Sequence, residues 1–166
     1  VKLEYVPRGL EELIQYYGDP RGENGEVDHA WYEKNTDVFQ LPFPMRTYSH
    51  HHVTTFRAHV LVGPVIEACM AEIASRLSAA WMAHHGWDFW GGCYYYRPMR
   101  KYQALSTHAW GIAVDLNPER APQGGKPGDQ HQTIVRVFES AGFRWGGRWG
   151  APYICDPMHF QAARNY

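Results

Sequence analysis

The spacing of apolar positions separates a weakly patterned first third of the chain from a strongly patterned remainder. In RGLEELIQYYGDP, Leu10, Leu13, Ile14 and Tyr17 recur at three- and four-residue steps. That spacing predicts a short helix, with Gly18 placed to end it and Pro20 beyond. Residues 20–48 mix Pro, Gly, Asn and Asp without a clean period and read as an irregular lead-in that wraps the rest. HHVTTFRAHVLV is rich in β-branched residues and reads as a strand or an extended arm. The clearest pattern lies in GPVIEACMAEIASRLSAAWMAHHG, where Ile66, Cys69, Met70, Ile73, Leu77, Ala80 and Trp81 form one stripe. It predicts a single core helix of about twenty residues, opened by Pro64 and closed by Gly86.

Beyond it, DFWGGCYYYRPM reads as strand, Gly-Gly irregularity and strand, and WGIAVDLN as a strand ending in an Asn117-Pro118 turn. PERAPQGGKPGD is a loop by composition. HQTIVRVFESAG predicts a second amphipathic helix with Ile134, Val137, Phe138 and Ala141 inward and Gly142 as terminator. RWGGRWGAP is a Gly/Trp loop and MHFQA a short last strand. Helices that come before and between strands able to pair antiparallel imply the α+β class: a central antiparallel sheet of about four strands, with helices on one face. We expect one domain over residues 1–166, with 1–60 as lead-in and 61–166 as core.

Composition narrows the function. Hydrophobic residues make up 45% and charged residues 20%, a globular balance. Sixteen basic against seventeen acidic side chains give a net charge of −1, without the basic excess of a phosphate-gripping protein, so nucleic acid is not an expected partner. No apolar run is long enough to span a membrane, and VKLEYVPRGLEEL has no apolar core of a secretion signal. Three widely spaced cysteines form neither a disulfide framework nor a Cys-x-x-Cys zinc clip, although one bridge remains open to them. Ten histidines are the unusual count. The run Ser49-His50-His51-His52 is a poor metal cluster because adjacent side chains alternate in direction, and His84 and His85 suit the negative end of a helix.

The stretch STHAWGIAVDLNP carries His108 and Asp115, seven positions apart. In a strand they would lie about 23 Å apart on opposite faces, and in a helix about 10 Å apart. Two ligands of one zinc ion each sit about 2 Å from it. If both bind one ion the chain must turn back between them, and Gly111 is the residue that permits it. Asp115 lies inside the apolar IAVDL, where a carboxylate is costly unless paired or metal-bound. A second cluster, CDPMHFQ, holds His159 with Asp156 three residues before it. A catalytic zinc site needs three protein ligands, an open position and a base. His108, Asp115 and His159 can supply the ligands and Asp156 the base, although spacing equally allows Asp156 as ligand and Asp115 behind it. Arg97 or Arg100, in YYYRPMR, can hold a developing oxyanion or a substrate carboxylate. Trp110, Trp145 and Trp149 are candidates for the wall of a groove.

These residues resemble a known family. STHAWGIAVD matches the Ser-x-His-x-x-Gly-x-Ala-x-Asp signature of the LAS-type zinc peptidases, which include D-alanyl-D-alanine carboxypeptidases and dipeptidases and the hedgehog zinc domain. DPMHFQ matches their second signature, a carboxylate three residues before the last His ligand. AGFRWGGRW and CYYYRPMR look like segments of the L-alanyl-D-glutamate endopeptidase branch, which includes phage endolysins, and so does Asp rather than Glu at the base position. The resemblance spans about residues 90–162, with the helix at 64–85 matching in position only.

The resemblance implies a hedgehog/DD-peptidase-like fold with zinc in a cleft opposite the helices. It implies one Zn2+ held by His108, Asp115 and His159, Asp156 as catalytic base and Arg97 at the oxyanion or substrate. Ser106, Trp110 and Trp149 would then be substrate contacts. The activity implied is cleavage of the peptidoglycan stem peptide at the bacterial cell wall by a monomeric L-alanyl-D-glutamate endopeptidase, either secreted and processed or held in the cytoplasm until lysis. A D-alanyl-D-alanine carboxypeptidase and a non-catalytic zinc-containing binding module are the alternatives. A Cys93–Cys155 bridge would pin the Arg97 segment to the Asp156 segment.

Overall fold

A computed structural model describes residues 1–99 and 104–166. The elements run α1 (Gly9–Tyr17), α2 (His29–Asn35), β1 (Thr36–Arg46), β2 (His52–His59), α3 (Gly63–Leu77), α4 (Ala79–His85), β3 (Trp90–Gly92), β4 (Ala113–Leu116), α5 (Gln132–Ser140), β5 (Arg144–Trp145) and β6 (His159–Gln161). The class is α+β with two antiparallel sheets: the hairpin β1-β2 and a four-stranded sheet ordered β3-β4-β6-β5.

The lead-in is more ordered than its composition suggests. Asp28 caps α2 by accepting from Ala30 and Trp31 N–H, and β1 follows directly. The segment Leu41-Pro42-Phe43-Pro44-Met45 alternates buried and exposed as a strand should, but its two prolines disguise it. They are tolerated because the β1-β2 register slips between Gln40↔Thr55 and Met45↔Val53. The intervening residues therefore owe the ladder no N–H. Helix α1 buries Leu13 and Tyr17 as expected, whereas Leu10 is exposed.

The expected long helix is two. Ser78 sits at φ 52° between α3 and α4, and its hydroxyl accepts from Trp81 N–H to start the second helix. The break shifts the helical phase, so Met82 is buried and Trp81 lies half out. Strand β3 is only three residues long, and the second strand expected after Gly-Gly is reduced to an isolated Pro98↔Leu105 bridge.

One apolar cluster joins α1, the hairpin, α3, α5 and the four-stranded sheet. Phe138 of α5 stacks on Phe160 of β6 with ring centroids 4.7 Å apart. Side chains alternate along β6, so the neighbouring His159 points to the opposite side of the sheet, away from α5. The cysteines are all free thiols, and the open question of a Cys93–Cys155 bridge is settled against it.

Candidate metal centre

The ladder of β4 and β6 builds the site. Asp115 pairs directly with His159, which places both side chains on one sheet face. His108 arrives from a single 3-10 turn, Thr107–Trp110, capped by Ser106, whose Oγ accepts from His108 N–H at 3.4 Å. Gly111 then reverses the chain into β4 at φ +68°, and a Cβ there would lie 2.7 Å from the His59 backbone nitrogen. The turn required for His108 and Asp115 to meet is thus present: His108 Nε2 is 3.3 Å from Asp115 Oδ2, and His159 Nδ1 is 2.9 Å from Asp115 Oδ1. Ligand atoms of the three residues lie within 4.8 Å of one another, and the group could hold a metal ion.

Proton positions sharpen this picture. Nδ1 of His108 is 2.6 Å from the Cys93 carbonyl, an acceptor, so Nδ1 carries the hydrogen and Nε2 carries a lone pair. That Nε2 is buried and without a hydrogen-bond partner, yet it faces a carboxylate oxygen. On the other side, Gln161 Nε2 donates to the Ala163 and Tyr166 carbonyls, which fixes its Oε1 as the atom 2.9 Å from His159 Nε2. His159 Nε2 therefore donates, and in the neutral ring Nδ1 turns a lone pair toward Asp115. Two imidazole lone pairs and a carboxylate converge with no hydrogen among them, an arrangement that calls for a cation. The residues fit a metal. Burial alone would raise the Asp115 pKa, but positive charge on the adjacent His108 and His159, carried as protons when no cation is bound, outweighs it and holds the carboxyl well below the usual range.

Asp156 stands beside this group. Its backbone is anchored by Asp156 N–H to Gly146 O at 2.9 Å, and a Cβ on Gly146 would sit 2.5 Å from the Asp156 carbonyl, so only glycine allows that approach. Oδ2 accepts from Gln123 Nε2 at 3.0 Å, while Oδ1 is buried and without a hydrogen-bond partner. Burial, helped by the Asp115 charge, raises the Asp156 pKa against the lowering effects of His159, Gln123 and His108.

A cavity of about 850 Å³ opens over these groups and is also lined by Arg97, Ser106, Trp149, Tyr153 and Ile154. Arg97 reaches it with one Nη donating to the Pro98 carbonyl at 3.2 Å and no carboxylate on it among the described residues. Arg100 lies outside the described residues. Trp149 sits with its ring 5.3 Å from that of His159. Trp110 departs from expectation: it is fully buried, donates its indole N–H to Gly18 O at 2.8 Å, and is core rather than groove wall. Trp145 is also buried and donates to Pro157 O, although it lines the cavity.

Residues 100–162 match the family model described as D-alanyl-D-alanine carboxypeptidase. The match takes in His108, Asp115, Asp156 and His159 and bears out the resemblance read from the two motifs. Arg97 and everything before it lie outside the matched segment. No curated protein and no solved structure matches the chain.

Sequence reasoning passed over Gln161 and Gln123. The first was legible, since it is two residues from His159 on the same face of one strand. Gln123 comes from a loop identified only by its Pro and Gly content, where no period points inward.

Proposed function

We propose that the protein is a zinc-dependent peptidase acting on the peptidoglycan stem peptide, as an L-alanyl-D-glutamate endopeptidase. The observation that carries the metal reading is the buried, unpartnered Nε2 of His108 facing the Asp115 carboxylate. His108 and His159 would hold the ion through Nε2 and Nδ1, and Asp115 through its carboxylate, a nitrogen-rich set suited to zinc. When bound, zinc supplies Lewis-acid polarisation of a carbonyl and acidification of water.

The chain's own residues do the rest. Asp156, with Oδ1 unengaged and its pKa raised by burial, accepts a proton from the attacking water. It then returns the proton to the leaving amine. The Gln123 amide holds the other carboxylate oxygen and so fixes the plane of the base. Arg97 offers its guanidinium to the carbonyl oxygen as negative charge builds there. Trp149 and the exposed Tyr153 form an aromatic wall along which a peptide can lie.

The internal bond is preferred because the cavity extends well beyond what a terminal dipeptide fills. The endopeptidase-like CYYYRPMR and AGFRWGGRW segments support the same choice. The family description supports a second reading, removal of the terminal D-Ala. Mass spectrometry of digested muropeptides separates them. A stem cut after its first alanine is expected; free D-Ala would make the enzyme a carboxypeptidase. No released amine in the presence of zinc would leave only a zinc-containing binding module.

A further inference from the structure

The cavity wall is far more cationic than the chain. Five arginines line it, Arg8, Arg97, Arg144, Arg148 and Arg164, although the whole protein carries a net charge of −1. Only Arg148 is neutralised by an ion pair among the described residues, held by both Glu139 oxygens. Asp115 and Asp156, the other acids on the wall, belong to the metal centre and its base.

Three of the unpaired arginines come together at the sheet end beyond β6. The lead-in runs parallel to the chain after β6, with Arg164 N–H donating to Pro7 O at 2.8 Å and Gly9 N–H to Arg164 O at 2.9 Å. Arg8 and Arg164 are therefore direct bridge partners. Arg144 pairs with Gln161 on the adjoining strand; Arg144 and Arg164 line the main cavity together with Arg8, and also border a second depression beside Glu4 and Glu139. Like charges directly opposite one another across a ladder destabilise it. Of the acids nearby, Glu139 is held by Arg148, Glu4 is exposed, and Glu12 accepts from Tyr5 Oη and from the Arg8 backbone N–H through its Oε2. Arg164 keeps one nitrogen on the Val6 carbonyl, and no described partner takes the guanidinium groups of Arg8 and Arg144.

From this we propose that Arg8, Arg144 and Arg164 form a carboxylate-binding subsite that takes a free acidic group of the same peptide whose bond lies over the metal centre. The proposal rests on the peptidase reading above. Guanidinium groups bind carboxylates through paired, charge-assisted hydrogen bonds, and three of them on the wall of one cavity suit a carboxylate that a neutral amide cannot replace. The subsite also gives the lead-in a role: Arg8 makes it part of the specificity wall.

The test is calorimetric binding and hydrolysis of two synthetic stem peptides by the zinc-loaded protein. One peptide carries its acidic side group as the free carboxylate and the other as the amide. The wild type should prefer the free acid, and Arg8→Ala and Arg144→Ala should each weaken its binding about tenfold or more. Neither variant should change binding of the amide. Both side chains are exposed, so the variants should fold, as circular dichroism will verify, and Arg136→Ala on the exposed side of α5 serves as a charge-matched control. Equal losses on both peptides, losses matched by Arg136→Ala, or no preference in the wild type would overturn the subsite. Preference for the acid with no cleavage of either peptide would overturn the peptidase reading and leave the subsite standing.

Discussion

Gln161 Oε1 lies 2.9 Å from His159 Nε2, and the Gln161 amide cannot turn over because its nitrogen is held by the carbonyls of Ala163 and Tyr166. The Thr107 hydroxyl donates to the same oxygen at 3.2 Å. A side chain two residues from His159 therefore decides which nitrogen of that ring is free to bind a metal. Removing it as Gln161→Ala should lower zinc affinity about ten- to a hundredfold. Competition against a chromophoric chelator measures this, and an unchanged affinity would show that ring orientation does not depend on Gln161.

Gly111 carries a second prediction. Its φ of +68° and the 2.7 Å approach of a would-be Cβ to His59 N leave no room for a side chain. Gly111→Ala should cost about 2 kcal/mol or more, the αL penalty plus the clash. A urea midpoint equal to that of the wild type would mean that the turn relaxes freely.

His59 predicts the acid limit of stability. It is 1% exposed, donates from Nε2 to Tyr17 O at 3.1 Å and accepts Leu61 N–H at Nδ1. Burial and that occupied Nδ1 favour the neutral ring, and the pKa falls to about 4. A folded pKa below the unfolded one means the contribution is complete above about pH 6.5 and is lost as pH falls toward 4. Its size is about 3 kcal/mol. In urea titrations at pH 7 and pH 4.5, His59→Gln should lose less stability between the two than the wild type does. Equal losses would assign the acid sensitivity to other groups.

The metal centre was more legible in the sequence than the fold around it. His108, Asp115, Asp156 and His159 lie in short motifs whose spacing limits how the chain can run, and the turn at Gly111 follows from bond lengths once His108 and Asp115 are taken to share one ion. Strands β4 and β6 and helix α5 followed from period, whereas β5 opens a stretch that reads as a Gly/Trp loop. The hairpin did not, because Pro42 and Pro44 mask an alternating strand, and only the slipped register explains how they are accommodated. The break at Ser78 was hidden because the apolar stripe runs on through it, and the cost of its positive φ is met by a cap that only the structure reveals. Trp110 was misread through its place inside the motif: neighbours in sequence on a tight turn point in different directions, and its indole faces α1. Arg8 could not have been placed at all, since it reaches the cavity through a bridge to a residue more than a hundred and fifty positions away.

The division of labour between holding the metal and moving the proton is the central claim. Zinc bound per chain, measured by elemental analysis beside peptide cleavage by the same samples, tests it most directly. One equivalent is expected in the wild type and in Asp156→Ala, with cleavage lost only in the latter, and little or none in His108→Ala. Zinc retained at wild-type level in His108→Ala, or cleavage undiminished in Asp156→Ala, would contradict the account.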